Sequence, residues 1–163
     1  MKRLTLIRHA KSDWSDATLS DFERPLNARG KKAAPLMGQR MAEGEIVPEL
    51  LVSSPAKRAR KTAQLIAHEI DFAKDAIVYR PEIFEARMKM LIKIIRGFPD
   101  SAHIALIGHN PGLTDLAGWL CPEAPDWLPT CAVLSLELDV DDWTEIAAGC
   151  GTILLYDYPK KSV

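Results

Sequence analysis

The chain has 163 residues, 47% of them hydrophobic and 26% charged, which excludes a disordered or fibrous protein and suits one domain burying roughly 70% of its unfolded surface without disulfides or a metal. The net charge of −1 hides an uneven spread: residues 1–96 hold 19 of the 21 Lys and Arg against 12 of the 22 acids, and residues 97–163 hold 2 against 10. Halves of opposite sign fit a nucleic-acid surface, a sink for an anionic ligand, or two faces that attract each other.

In chain order, residues 4–7 are an apolar run between Lys2-Arg3 and Arg8-His9. The run is far short of a signal-peptide core or the ~20 residues of a membrane span, so a strand in a soluble, cytoplasmic protein is expected. Residues 27–43 are helical in composition, and Pro35 predicts a kink or a restart because it lacks a donor and clashes with the preceding turn. Residues 50–53 read as a second strand. Ala59, Ala63, Ile66 and Ile70 then trace one helical face, and residues 76–79 are a further strand candidate. Met88, Leu91, Ile92 and Ile95 predict another helix, residues 104–107 a strand, and Leu113, Leu116, Ala117 and Leu120 a last helix. Residues 132–138 and 152–156 are a late strand pair with an antiparallel member. The alternation argues α/β, a three-layer α/β/α sandwich, and the continuous apolar runs suit parallel strands covered on both faces. Cys121, Cys131 and Cys150 have no metal or redox spacing and read as reduced structural thiols.

Three chemical features fall at strand carboxyl ends, where open α/β sheets place ligands: Arg8-His9, Ser53-Ser54-Pro55 with Arg58, and Gly108-His109-Asn110-Pro111. Ser54-Pro55 and Asn110-Pro111 each set an N-cap residue before a proline suited to the first helical position, so two helix N-termini are expected to open toward an anion. Lys57, Arg58, Arg60 and Lys61 oppose the helix dipole by about a few tenths of a kcal/mol each. A bound phosphate would compensate, and the planar fork of Arg suits it. His9 and His109 share this edge, whereas His68 lies within a helix and His103 just before a strand. A neutral imidazole can attack phosphorus, with arginines neutralising the oxygens. No metal or cofactor is implied: the histidines lack carboxylate or thiolate partners at ligand spacing, and there is no Walker loop or Rossmann fingerprint.

Leu6-Ile7-Arg8-His9-Ala10-Lys11-Ser12, Asp21-Phe22-Glu23-Arg24-Pro25-Leu26-Asn27 with Arg29-Gly30, Ser53-Ser54-Pro55-Ala56-Lys57-Arg58-Ala59 with Thr62-Ala63, and Gly108-His109-Asn110-Pro111-Gly112 together resemble the histidine phosphatase superfamily, also called phosphoglycerate mutase-like. Within it the chain is similar to the small SixA-type phosphohistidine phosphatases. The resemblance implies that His9 is the phosphorylated nucleophile and that Arg8, Arg58 and His109 complete the phosphate pocket. Ser15 falls where relatives often have a phosphate-contacting Asn. A mostly parallel sheet with one antiparallel strand is implied. Ala10 replaces the commoner Gly, as in SixA-like members.

Glu85 follows the third strand candidate and is the candidate general acid; the alternative is an N-terminal helix residue favoured by the dipole. A phosphohistidine leaving group needs an acid less than an ester does, because imidazole is basic enough to arrive protonated near neutral pH. Trp119, Trp127 and Trp143 read as core or rim packing, and Trp14 as a residue at the pocket mouth. Asp139, Asp141 and Asp142 read as a solvated turn, since an EF-hand glycine and distal Glu are missing. The expectation is a monomer that hydrolyses phosphohistidine on a protein, with no nucleic-acid or membrane partner. The alternatives are a phosphatase of small phosphoesters using Glu85, and a non-catalytic phosphate-recognition module.

Overall fold

The apolar runs pair into a single sheet. In the computed structural model, which describes residues 1–161, strands and helices alternate as β1 (Lys2–Arg8), α1 (Ala28–Glu43), β2 (Leu50–Ser53), α2 (Lys57–Glu69), β3 (Val78–Tyr79), α3 (Met88–Arg96), β4 (His103–Gly108), α4 (Gly112–Leu120), β5 (Val133–Leu138) and β6 (Gly151–Asp157). The strand order is β3-β2-β4-β1-β5-β6. β1, β4, β2 and β3 pair in parallel, while β5 runs antiparallel to both β1 and β6. β5 is therefore the reversed strand of an otherwise parallel sheet, as the sequence implied.

Successive strand side chains point to opposite faces. Leu4, Leu6, Ile104 and Leu106 pack with Leu91, Ile95 and Leu116 of α3 and α4. Ile7, Ala105 and Ile107 pack with Met37, Ala63 and Ile66 of α1 and α2. The helices thus form an outer layer on each face, and the polar carboxyl ends of β1, β2 and β4 meet at one edge. Ion pairs join the basic and acidic halves: Lys2 Nζ to Asp100 at 2.5 Å, Arg40 to Asp157 at 3.2 Å and the N-terminal amine to Asp141 at 3.2 Å. No helix among the described residues is long and apolar enough to cross a membrane.

Three local expectations are corrected. Pro35 does not restart its helix, and α1 is continuous from Ala28 to Glu43. The carbonyl that loses its donor is that of exposed Lys31, where solvent substitutes. The strand expected at 76–79 shrinks to Val78–Tyr79, because the amides of Ala76 and Ile77 are spent on Ala73 and Lys74 in a 3-10 turn. Neither proline occupies a first helical position. Ala56 and Pro111 are the cap residues, since Ser54 Oγ accepts the Ala56 amide and Asn110 Oδ1 accepts the Thr114 amide and hydroxyl.

Candidate active site

The register of the central strands builds the site. Ile7 lies beside Ile107 and Arg8 beside Gly108, so His9 and His109 leave the sheet together, with ring centroids 5.1 Å apart. The His9 amide donates to Gly108 at 3.1 Å and its carbonyl accepts the Cys131 amide at 3.0 Å, which pins His9 between β4 and the start of β5. Thr62 ties in α2: its hydroxyl accepts the Ala10 amide at 3.0 Å and donates to the Arg58 carbonyl at 2.7 Å. Gly30 lets α1 close on this loop, because a Cβ there would strike the Lys11 backbone.

The two rings are held as opposite tautomers. His9 Nδ1 is 2.7 Å from the Ala10 carbonyl, which can only accept, so Nδ1 carries the hydrogen and Nε2 presents a lone pair. Arg58 Nε faces that lone pair at 3.4 Å. His109 Nδ1 faces Arg58 Nη2 at 3.4 Å, so its Nε2–H donates to Ser54 Oγ at 2.7 Å. Burial, then the charge each ring would place on the other and the nearby arginines, lowers the His9 pKa to about 3. Burial followed by Arg58 does the same for His109, again to about 3. Both rings are neutral at neutral pH, which leaves His9 Nε2 available to an electrophile.

Arg8, His9, Arg58 and His109, the four residues expected to form the pocket, line one buried well. The well has a volume of about 280 Å3 and is completed by Ser12, Trp14 and Arg24 among others. Arg8 Nη1 donates to the Leu128 carbonyl at 3.0 Å, and its buried Nε has no hydrogen-bond partner among the described residues. Only Arg58 of the basic stretch turns inward. Lys57, Arg60 and Lys61 line a separate cleft of about 500 Å3 with Lys31.

Asp21 is the residue that the sequence left without a role. Its carbonyl accepts Arg58 Nη1 at 2.6 Å, and its carboxylate accepts Arg58 Nη2 at 3.1 Å and Arg24 Nε at 3.0 Å. Burial pushes the carboxyl up, but the Arg24 hydrogen bonds and the Arg58 charge outweigh it and hold the pKa below the usual range. Arg24 also donates to Ser12 Oγ at 2.8 Å. The available signal was the acid three residues before an arginine inside the recognised stretch. Phe84 adds a wall, edge-on to both His109 and Phe22.

Ser15 does not reach the well. It is exposed, and its amide donates to Asp13 Oδ1 at 2.7 Å, while Ser12 takes the place at the pocket. Glu85 is exposed and lines a larger groove of about 710 Å3 that shares Arg58 and His109 with the well. Trp127 is not packed in the core: it is half exposed, with its ring 5.5 Å from the Arg8 guanidinium. Trp143 is buried and donates to the Ser101 carbonyl. No cluster of three or more His, Cys, Asp and Glu able to hold a metal occurs among the described residues.

The model of the histidine phosphatase superfamily (branch 1) matches residues 4–91, a span that includes Arg8, His9, Asp21 and Arg58. An uncharacterized chloroplastic protein of Arabidopsis thaliana is 32% identical over 159 residues, covering 92% of this chain and 72% of that one. The mitochondrial serine/threonine-protein phosphatase Pgam5 of Drosophila ananassae is 34% identical over 77 residues, 47% of this chain and 26% of that one. Among solved structures, a candidate phosphohistidine phosphatase SixA from Agrobacterium tumefaciens matches with a TM-score of 0.84 at 26% identity, covering 97% of this chain and 98% of that one.

Proposed function

The chain belongs to the histidine phosphatase superfamily, and from that premise we propose that this phosphatase hydrolyses phosphohistidine on a protein, through phosphorylated His9 and without a metal. One observation carries the reading: the His9 Nε2 lone pair stands in a buried well beside Arg58 and an Arg8 whose Nε–H lacks a partner among the described residues. A buried guanidinium donor without a partner is costly, and a phosphoryl oxygen satisfies it with a charge-assisted bond.

His9 Nε2 attacks phosphorus as the bond from phosphorus to the substrate nitrogen breaks. The electron pair of that bond stays with the departing imidazole, which arrives protonated on its other nitrogen and so leaves as a neutral ring. Arg8 and Arg58 neutralise the non-bridging oxygens. The incoming dianion raises the pKa of His109, so that the ring takes a proton at Nδ1 and donates it in a hydrogen bond to a phosphoryl oxygen. Water then attacks phospho-His9, releasing inorganic phosphate and restoring the ring. The SixA likeness supports phosphohistidine as the substrate, and the open position of Glu85 fits a leaving group that needs no dedicated acid.

A second reading, hydrolysis of phosphoesters with Glu85 as acid, is favoured by the place of Glu85 on a groove shared with Arg58 and His109, and by the name of the Pgam5 relative. Phosphate release from a phosphohistidine peptide, a phosphoserine peptide and p-nitrophenyl phosphate, with EDTA present, separates the two. The expected result is EDTA-resistant turnover preferring phosphohistidine, falling at least about 1,000-fold in His9→Ala. Ester turnover that collapses in Glu85→Gln selects the second reading, and phosphate binding without turnover selects a recognition module.

A further inference from the structure

Trp14 lies on the rim of the catalytic well, yet the phosphoryl chemistry does not use it. It is 75% exposed, the highest value among the large hydrophobic side chains of the described residues. Its position is nonetheless fixed. The Arg24 guanidinium sits 3.4 Å from the ring centroid, and Arg24 is itself buried and bonded to Ser12 and Asp21. The neighbouring Asp13 amide donates to the Pro25 carbonyl at 2.8 Å. One indole face is therefore covered by Arg24, which shares the Asp21 carboxylate with Arg58, and the ring remains largely open to solvent.

We propose that the open face of Trp14 is a recognition subsite for the polypeptide that carries the phosphoryl group, stacking on a neutral planar group beside the phosphorus, a peptide plane that flanks the phosphohistidine. The inference deepens the phosphohistidine reading and rests on it. A rigid, flat indole at the edge of a deep pocket gives large contact area at little entropic cost and is the residue type that dominates recognition. The cation already seated on its other face draws on the same ring electrons, so the open face favours a neutral planar group over a second cation. Trp14 here acts on the organic part of the substrate, while Arg8 and Arg58 act on the phosphate.

The test compares a phosphohistidine peptide with phosphoramidate, which has the same phosphorus–nitrogen bond but no ring or chain. Trp14→Ala is expected to lower the ratio of kcat/KM on peptide to kcat/KM on phosphoramidate about tenfold, equivalent to about 1.4 kcal/mol. The loss appears in KM for the peptide, and Trp14→Phe restores most of it because a flat face remains. An equal loss on both substrates shows that Trp14 only braces Arg24 and overturns the proposal, as does a ratio that does not change. If nucleoside phosphates are the substrates that Trp14→Ala loses, the face binds a base and the proposal also fails. A wild-type enzyme that ignores the phosphohistidine peptide but cleaves esters refutes the underlying function instead, so the two failures are distinguishable.

Discussion

The ends of β1 and β4 are built alike but present different atoms. Each follows an apolar run, each delivers a buried histidine to the same edge, and the histidine is neutral in both. His9 bonds through Nδ1 to a backbone carbonyl of its own loop and shows Nε2 to the well. His109 bonds through Nε2 to the Ser54 side chain at the end of β2 and shows Nδ1 to Arg58. A ring anchored by a carbonyl cannot exchange donor and acceptor roles, whereas a hydroxyl can either give or take a hydrogen. The difference suits His9 to remain a lone pair and His109 to gain a proton when a dianion arrives.

The sharpest way to break this comparison is to remove one ring at a time. Loss of His9 is expected to abolish the phosphoenzyme. His109→Gln is expected to lower kcat/KM about 100-fold, the size of one donor aimed at developing charge, while still forming phospho-His9. Alkaline-quenched enzyme, analysed for phosphate on each histidine, checks the assignment. Phosphate trapped on His109 in the wild type would reverse the two roles.

A smaller effect is expected one layer out. Asp21 touches neither ring and orders both Arg58 and Arg24. Asp21→Asn keeps most of the shape and removes a negative charge from the proposed phosphate site, so inorganic phosphate is expected to inhibit more strongly while kcat falls about tenfold through misplaced arginines. The opposed signs matter, because general loss of structure would weaken phosphate binding as well. Weaker inhibition by phosphate in the variant would show that Asp21 only holds the loop together.

The legible part of the site is the part that strands carry. Arg8, His9 and His109 follow from where apolar runs end, and Arg58 from cations placed against a helix dipole. The sheet order adds the proximity. What the sequence hid depends on loop paths. Asp21 meets Arg58 across 37 residues of chain, and no local pattern encodes that meeting. Ser15 and Ser12 are three residues apart on one loop, and it is Ser12 that the antiparallel bridge to Leu26 and the Arg24 hydrogen bond hold at the pocket. Pro35 misled for another reason: its rule describes a lost bond, and whether the loss breaks a helix depends on whether solvent reaches the stranded carbonyl.

The smallest effect follows from the feature the two histidines share. Unfolded histidine titrates near 6.5, whereas native His9 and His109 stay neutral down to about 3, and His103, buried against Thr5, down to about 4. Between those values the unfolded chain binds protons that the native one refuses, so the stability contribution is complete above about pH 6.5 and is lost as pH falls. Between pH 7 and pH 6 each such histidine is expected to cost about 0.7 kcal/mol, and the three together about 2 kcal/mol. Urea unfolding at the two pH values measures the drop, and His109→Gln is expected to shrink it by about a third. An equal drop in both proteins would mean that the empty pocket already accepts a proton on His109. The neutral, lone-pair ring facing Arg58 would then be the wrong starting state, and the contrast with His9 would have to rest on geometry alone.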